Sequence, residues 1–150
     1  MQTIIKKMIQ RIQSIYLLLS GIISGGIIFL VKIWTTIKKQ FFLKDLFSSE
    51  IVLVKIVPFI FLLSALLSVI TIFLFKNRQL QFVLCRLNIL INLILLGLLV
   101  YLSLSLPGET AVSEKGIGMF LPILVILVLV LANKAIKKDE DLVKSVDRLR

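Results

Sequence analysis

The chain alternates long apolar runs with short polar interruptions. A bilayer core about 30 Å thick is crossed by about 20 helical residues rising about 1.5 Å each, and four runs reach that length. The pattern predicts spans at about 14–31, 56–75, 80–106 and 117–133. Lys32 and Trp34 end the first, Lys76-Asn77-Arg78 the second and Pro107-Gly108 the third. The fourth is apolar as far as Leu131 and runs into Asn133-Lys134. The runs are rich in Ile, Leu and Val, which by composition alone would suit buried strands. Their length, and the need of lipid-embedded backbone to pair its own polar groups, makes them helices. The expected fold is all-α. It is a four-transmembrane-helix bundle forming one integral membrane domain over 1–150, with a tight hairpin between helices 2 and 3 and an amphipathic C-terminal helical extension over 134–150.

The flanks carry helical periodicity of their own. Ile5, Ile9, Ile12 and Tyr16 recur at helical spacing among Lys6, Lys7, Gln10, Arg11 and Gln13. This predicts an amphipathic helix at the membrane surface that feeds the first span. The basic flank is shared with signal peptides, but the apolar run exceeds their usual ~7–15 residues and no Ala-x-Ala site follows, so an uncleaved anchor is expected. At the other end Leu142, Val146 and Leu149 share a face, and Glu140 and Lys144 form an i,i+4 pair of the favoured polarity.

Polar side chains inside the runs are costly, so their placement is informative. In the third span Gln81, Cys85, Asn88, Asn92 and Ser103 fall on one face, and in the second Ser64, Ser68 and Thr71 do the same. The short connection makes these two helices antiparallel neighbours. Thr71 is then expected level with Cys85, Ser68 with Asn88 and Ser64 with Asn92, as a ladder of interhelical hydrogen bonds worth about 0.6 and at most about 2 kcal/mol each. The competing reading of the stripe is a polar pocket for a substrate or ion; uncharged groups at matched depths favour structural glue. Arg86 is off the stripe and is expected to snorkel to the headgroups. Gly21-x-x-x-Gly25, with Ser20, Ser24 and Gly26, predicts a close helix-packing face, either within the bundle or between two chains, which leaves a homo-oligomer open. The fourth span, with almost no small or polar positions between Pro122 and Leu131, is expected to be the most lipid-exposed. Pro58 and Pro122 are expected in the first turns of their helices.

Composition agrees with the pattern. The chain is 59% hydrophobic with a mean hydropathy of +1.06 and only 17% charged residues. That is too apolar for a soluble domain of 150 residues and far too apolar for a disordered one. The formal charge of +10 would suggest nucleic acid in a soluble protein. Beside apolar spans it points to anionic lipid headgroups and topology instead. Twelve Lys and Arg lie in the N-terminal flank (Lys6, Lys7, Arg11), the second connection with the start of the third span (Lys76, Arg78, Arg86) and the tail (Lys134, Lys137, Lys138, Lys144, Arg148, Arg150). Six (Lys32, Lys38, Lys39, Lys44, Lys55, Lys115) lie in the other two loops. The positive-inside rule then places both termini in the cytoplasm, although five lysines in one loop pull the other way. Arg11, Lys76, Arg78, Arg86, Lys137, Lys138, Arg148 and Arg150 are the candidate contacts to lipid or a partner.

Chemistry is sparse. There is no His and a single Cys, Cys85, so an intrachain disulfide, an ordinary metal site and a Cys/His nucleophile pair are all excluded. No Asp or Glu lies inside a predicted span, where a proton- or cation-coupled transporter normally needs one. Asp45, Glu50, Glu109 and Glu114 are expected to be solvated loop charges. No catalytic residue, cofactor site or metal ligand is assigned.

Three stretches carry a family resemblance: Met8–Leu19; Ile72–Gln81 followed by Cys85–Asn88; and Ala132–Glu140 with Leu142–Ser145 and Asp147–Arg150. Together they resemble a bacterial four-helix integral membrane family, domain of unknown function 4293, over nearly the whole chain from Met8. Relatives begin near that Met, so residues 1–7 read as an upstream start. The loop from Trp34 to Lys55 is not covered. The resemblance implies a four-span bacterial inner-membrane protein and brings no activity. The expected function is a non-catalytic membrane subunit or scaffold whose cytoplasmic face (Gln10–Gln13, Lys76–Gln81, Lys134–Arg150) binds a membrane or cytoplasmic protein. The alternative is a small transporter or lipid-handling protein using the polar stripe. An enzyme at the outer surface, built on converging loop carboxylates, is a third.

Overall fold

A computed structural model of the chain describes residues 2–106 and 114–149, with side chains from Arg11 onward. The expectations for the side chains of Ile5 and Ile9, for the Pro107-Gly108 stop, for Glu109 and for Arg150 lie outside what is described. The order of elements is α1 (Gln2–Ile22), a π-helical stretch (Ile23–Ile27), α2 (Ile28–Leu30), β1 (Lys32–Thr35), β2 (Gln40–Phe42), α3 (Leu43–Leu46), α4 (Val52–Phe73), α5 (Arg78–Ser105), β3 (Glu114–Lys115), a 3₁₀ turn (Ile117–Phe120) and α6 (Leu121–Arg148). Four helical stretches are long and apolar enough to cross a membrane: Arg11–Leu30, Val52–Phe73, Arg78–Ser105 and Ile117–Arg148. The class is all-α.

The long helices form a closed ring. α1 packs against α4 and α6, and α5 packs against the same two. Each contributes one buried stripe at helical spacing, such as Val57, Phe61, Ser64, Ser68 and Thr71 on α4 and Val125, Leu129, Ala132, Ile136 and Asp139 on α6. Their other faces carry exposed Leu, Ile, Val and Phe, as expected where lipid replaces water as the solvent. The ring has a terminal end, with both chain termini and the α4–α5 turn, and a sheet end.

Two expectations fail here. The fourth span has the largest buried share of the four, 39% against 28% for the third. Leu and Val are as much at home against another helix as against a lipid tail, so the lack of small or polar residues is no mark of exposure. Pro58 is not in the first turn: α4 begins at Val52, running through Lys55, and carries Pro58 in its interior, buried. Pro122 does sit in the first turn of α6.

The sheet end is a cap that the apolar pattern did not foretell. β1 pairs antiparallel with β2 and β3 in the order β2-β1-β3. Ile33 and Trp34 of β1 and Leu43 and Leu46 of α3 are buried at this end. A Cβ on Gly116 would collide with the Lys32 carbonyl oxygen and lie 2.8 Å from that of Ile33. Only glycine allows the strand-to-helix turn to press on β1 at that point. Gly116 N–H donates to that Ile33 carbonyl at 2.9 Å.

Candidate functional site

Two sets of polar side chains are buried in the ring. The first lies between α4 and α5. Ser64 Oγ donates to Asn88 Oδ1 at 2.7 Å, and Asn88 Nδ2 donates to the Ser64 carbonyl at 3.1 Å and to Ser68 Oγ at 2.8 Å. Asn92 Nδ2 lies 2.7 Å from Ser64 Oγ, 2.9 Å from the Asn88 carbonyl and 3.0 Å from Asn88 Oδ1. Gln81 Nε2 donates to the Thr71 carbonyl at 3.2 Å. Ser68 thus meets Asn88, and Ser64 meets both Asn88 and Asn92.

The Thr71–Cys85 rung does not form. Thr71 Oγ1 turns back to the Leu67 carbonyl at 2.6 Å, and Cys85 Sγ points to the Leu129 carbonyl of α6 at 3.3 Å. Cys85 lies about 60° round the helix from Asn88, enough to face α6 and not α4. Ser103 also leaves the stripe, bonding the Val100 carbonyl of its own helix at 2.7 Å.

α1 joins this set, which the sequence reading missed. Ser20 Oγ lies 2.8 Å from Ser68 Oγ, so the network crosses three helices. Ser24 Oγ donates to the Ser20 carbonyl at 2.8 Å within the π-helical stretch. A Cβ on Gly21 would meet Ser68 Cβ at 3.6 Å, and one on Gly25 would lie 2.9 Å from Ala65 Cβ. The Gly21/Gly25 face therefore packs on α4 inside the bundle. The Ser20-x-x-x-Ser24 spacing was the available signal, but it cannot name the helix it faces.

The second set lies at the terminal end. Arg78 Nε, at the start of α5, is 3.1 Å from Asp139 Oδ2 on α6, with side-chain exposures of 18% and 3%. It is a close ion pair, although no well-aligned hydrogen bond from the described residues reaches that oxygen. Gln13 Nε2 of α1, also buried, donates to the Ala135 carbonyl of α6 at 3.1 Å. Asn77 caps α5 by accepting the Leu80 N–H at 3.3 Å. Asp139 was not singled out in the sequence. It continues the Val125, Leu129, Ala132, Ile136 row, which carries the buried stripe of α6 beyond its apolar segment.

The remaining candidate contacts are on the surface. Arg11, Lys76, Arg86, Lys137, Lys138 and Arg148 are exposed. Arg86 stacks its guanidinium over the Phe82 ring, 4.4 Å from the centroid. In the tail Lys144 Nζ pairs with Glu140 Oε1 at 2.9 Å. At the sheet end Asp45 Oδ2 accepts the Phe42 N–H at 3.1 Å and Oδ1 lies 3.4 Å from Lys39 Nζ. The Phe42 bond does most to hold the Asp45 carboxyl below the usual carboxylate range; burial opposes it, and the Lys39 ammonium, with Lys44, adds to the lowering. Among the described residues no three His, Cys, Asp or Glu side chains gather as metal ligands.

No curated protein and no solved structure matches the chain. Residues 9–149 match the model of the family described as a domain of unknown function, DUF4293, and the chain belongs to that family.

Proposed function

We propose that the protein is a non-catalytic subunit or scaffold of a bacterial inner membrane, with both termini in the cytoplasm and a protein-binding face at its terminal end. The observation that carries this reading is the continuity of α6. One helix runs from Leu121 to Arg148, about 42 Å at 1.5 Å per residue, well beyond its apolar segment. Its distal part presents Leu142, Val146 and Leu149 at 41, 37 and 89% exposure, beside Lys144 and Arg148. Its root is fixed by Asp139 to α5 and by Ala135 to α1. A helix held rigidly at its base with an unpartnered apolar stripe suits an acidic-rimmed apolar groove on another protein. The twelve-to-six distribution of Lys and Arg supports the orientation. The transporter reading draws less support, since the stripe's hydroxyls and amides are buried and mainly engage one another and neighbouring carbonyls.

A photoreactive residue at Leu142 or Val146, crosslinked in cells and read by mass spectrometry, tests the role. One recurrent protein adduct is expected, lost in the Leu142→Asp/Val146→Asp variant. Adducts to lipid alone would overturn it. Orientation is tested with cysteines introduced at Lys38 and Ser145 and a membrane-impermeant maleimide. Lys38→Cys should label from outside and Ser145→Cys only after permeabilisation.

A further inference from the structure

Arg86 lies eight residues into α5, about 12 Å from the Arg78 end. A guanidinium at that depth is costly unless it finds an anion or reaches the interface. Among the described residues it meets the Phe82 ring and no carboxylate. Phe82 is one turn nearer the terminal end, so the side chain leans that way.

The register of α5 on α6 is set by two contacts, Cys85 Sγ to the Leu129 carbonyl and Arg78 to Asp139. It places Phe82 level with residues 132–135. Arg86 lies about 100° round α5 from Cys85, which faces α6. Lys137 and Lys134 lie about 80° and 140° round α6 from Leu129, which faces α5. On each helix the turn leads away from the bundle core to the same outer side of the pair. Arg86, Lys134 and Lys137, all exposed, therefore lie on the outer side of the groove between α5 and α6. On α6 it continues into a shallow depression of about 450 Å³ lined by Lys134, Lys137, Lys138, Asp141, Leu142 and Ser145. Asn133 lies on the same side of α6, its Oδ1 buried and without a hydrogen bond among the described residues. In the other direction the groove walls are apolar: Leu93 of α5 and Val130 of α6 are exposed.

We propose that this groove is a binding site for an anionic phospholipid. The phosphate sits between Arg86, Lys134 and Lys137, and an acyl chain lies along Leu93 and Val130. Three exposed cations on one side of the helix pair lie beside surface apolar enough for a hydrocarbon chain, and the leaflet itself supplies the anion. A zwitterionic headgroup would bring its ammonium against them. The three cations lie apart from the docking stripe of Leu142, Val146 and Leu149, which meets the site only where Leu142 lines the depression. A chain truncated after Glu140 loses that stripe and the far end of the depression but keeps Arg86, Lys134, Lys137, Leu93 and Val130, so the two proposals fail separately.

The full chain, purified in a neutral detergent, is titrated with phosphatidylglycerol or with phosphatidylcholine of the same acyl chains. Retained lipid is read by native mass spectrometry and stability by thermal unfolding. Phosphatidylglycerol should be retained and raise the unfolding temperature; phosphatidylcholine should do neither. Arg86→Ala should weaken phosphatidylglycerol binding about fivefold, equivalent to about 1 kcal/mol for one basic contact. Lys134→Glu/Lys137→Glu should abolish it, and Arg86→Lys, which keeps the charge, should retain most of it. Equal retention of the two lipids, undiminished binding by the Ala and Glu variants, or a loss in Arg86→Lys as large as in Arg86→Ala would overturn the proposal. So would an equal thermal shift from inorganic phosphate, which would assign the cations to a free anion.

Discussion

At mid-bundle, Ser64, Ser68, Asn88 and Asn92 tie α4 to α5 through neutral groups that share donors and acceptors. At the terminal end one charged contact among the described residues, Arg78 to Asp139, ties α5 to α6. The ladder is redundant: Asn88 alone touches Ser64, Ser68 and Asn92, and losing one rung leaves others that can shift to compensate. The ion pair has no such reserve. A buried pair is poor evidence of net stabilisation, but removing one partner strands the other. Sensitivity to substitution should therefore concentrate at the terminal end and spread thinly through the middle.

The largest effect is expected from Asp139→Ala, a loss of about 3 kcal/mol, near the lower bound for stranding a buried charge because Arg78 retains some exposure. The double variant Arg78→Leu/Asp139→Leu should recover most of it. Unfolding in mixed micelles measures both, and a single-variant loss below about 0.5 kcal/mol would mean the pair is a surface contact in effect.

Next is the α1–α4 seam that joins the ladder through Ser20 and Ser68. Gly25→Val should cost about 1–3 kcal/mol by overpacking against Ala65, which stands 2.9 Å from the new Cβ. Ala65→Gly in the same chain should relieve it. Gly21→Ala, whose Cβ would meet only ordinary contacts from 3.6 Å outward, should be nearly neutral. An equal cost at the two glycines would mean that the close approach at Gly25 is not what limits packing. Within the ladder, Asn88→Ala should lose about 1–2 kcal/mol and Asn92→Ala about 0.6. The order of those two variants is the check, since a larger loss at Asn92 would move the centre of the network.

These two regions also differ in how far they were legible beforehand. The ladder was legible because an antiparallel hairpin with a short turn fixes register arithmetically: Ser68 with Asn88 and Ser64 with Asn92 follow from spacing and connection length. The same arithmetic failed for Thr71 and Cys85, because equal depth does not ensure that two side chains turn toward each other. Ser20 and Asp139 face helices distant in sequence, and which helix neighbours which is set by packing across the whole ring. The four long helices were legible from hydropathy, three of them with ends within about four residues, while α6 runs on to Arg148 past the end expected for the fourth span. The β1–β3 sheet was not, since its strands are two to four residues long, too short for alternation to register, and they pair across the first and third spans' loops. The burial of α6 was hidden because hydropathy ranks a Leu-rich face equally well for lipid and for protein.

The smallest effect sets the exposed counterpart of the Arg78–Asp139 pair against it. Asp45 and Lys39 at the sheet end repeat the charge pairing, with the Lys39 side chain 60% exposed and the nitrogen–oxygen distance lengthened to 3.4 Å. Solvent and salt screen such a pair. What holds the Asp45 carboxylate is chiefly the Phe42 N–H, with Lys39 second. Its folded pKa is lowered, so its contribution to stability is present above the unfolded carboxylate value of about 3.9 and is lost as pH falls through the folded value. The advantage of the wild-type chain over Asp45→Asn should accordingly be constant above about pH 5 and shrink below about pH 4. Unfolding of the two chains in parallel across that range reads the difference directly, and titrations elsewhere in the molecule cancel. Moderate salt should leave most of that advantage in place, because the Phe42 hydrogen bond is screened less than the Lys39 charge. An advantage abolished by salt would make Lys39 the main partner, and one that grew on acidification would reverse the sign of the shift.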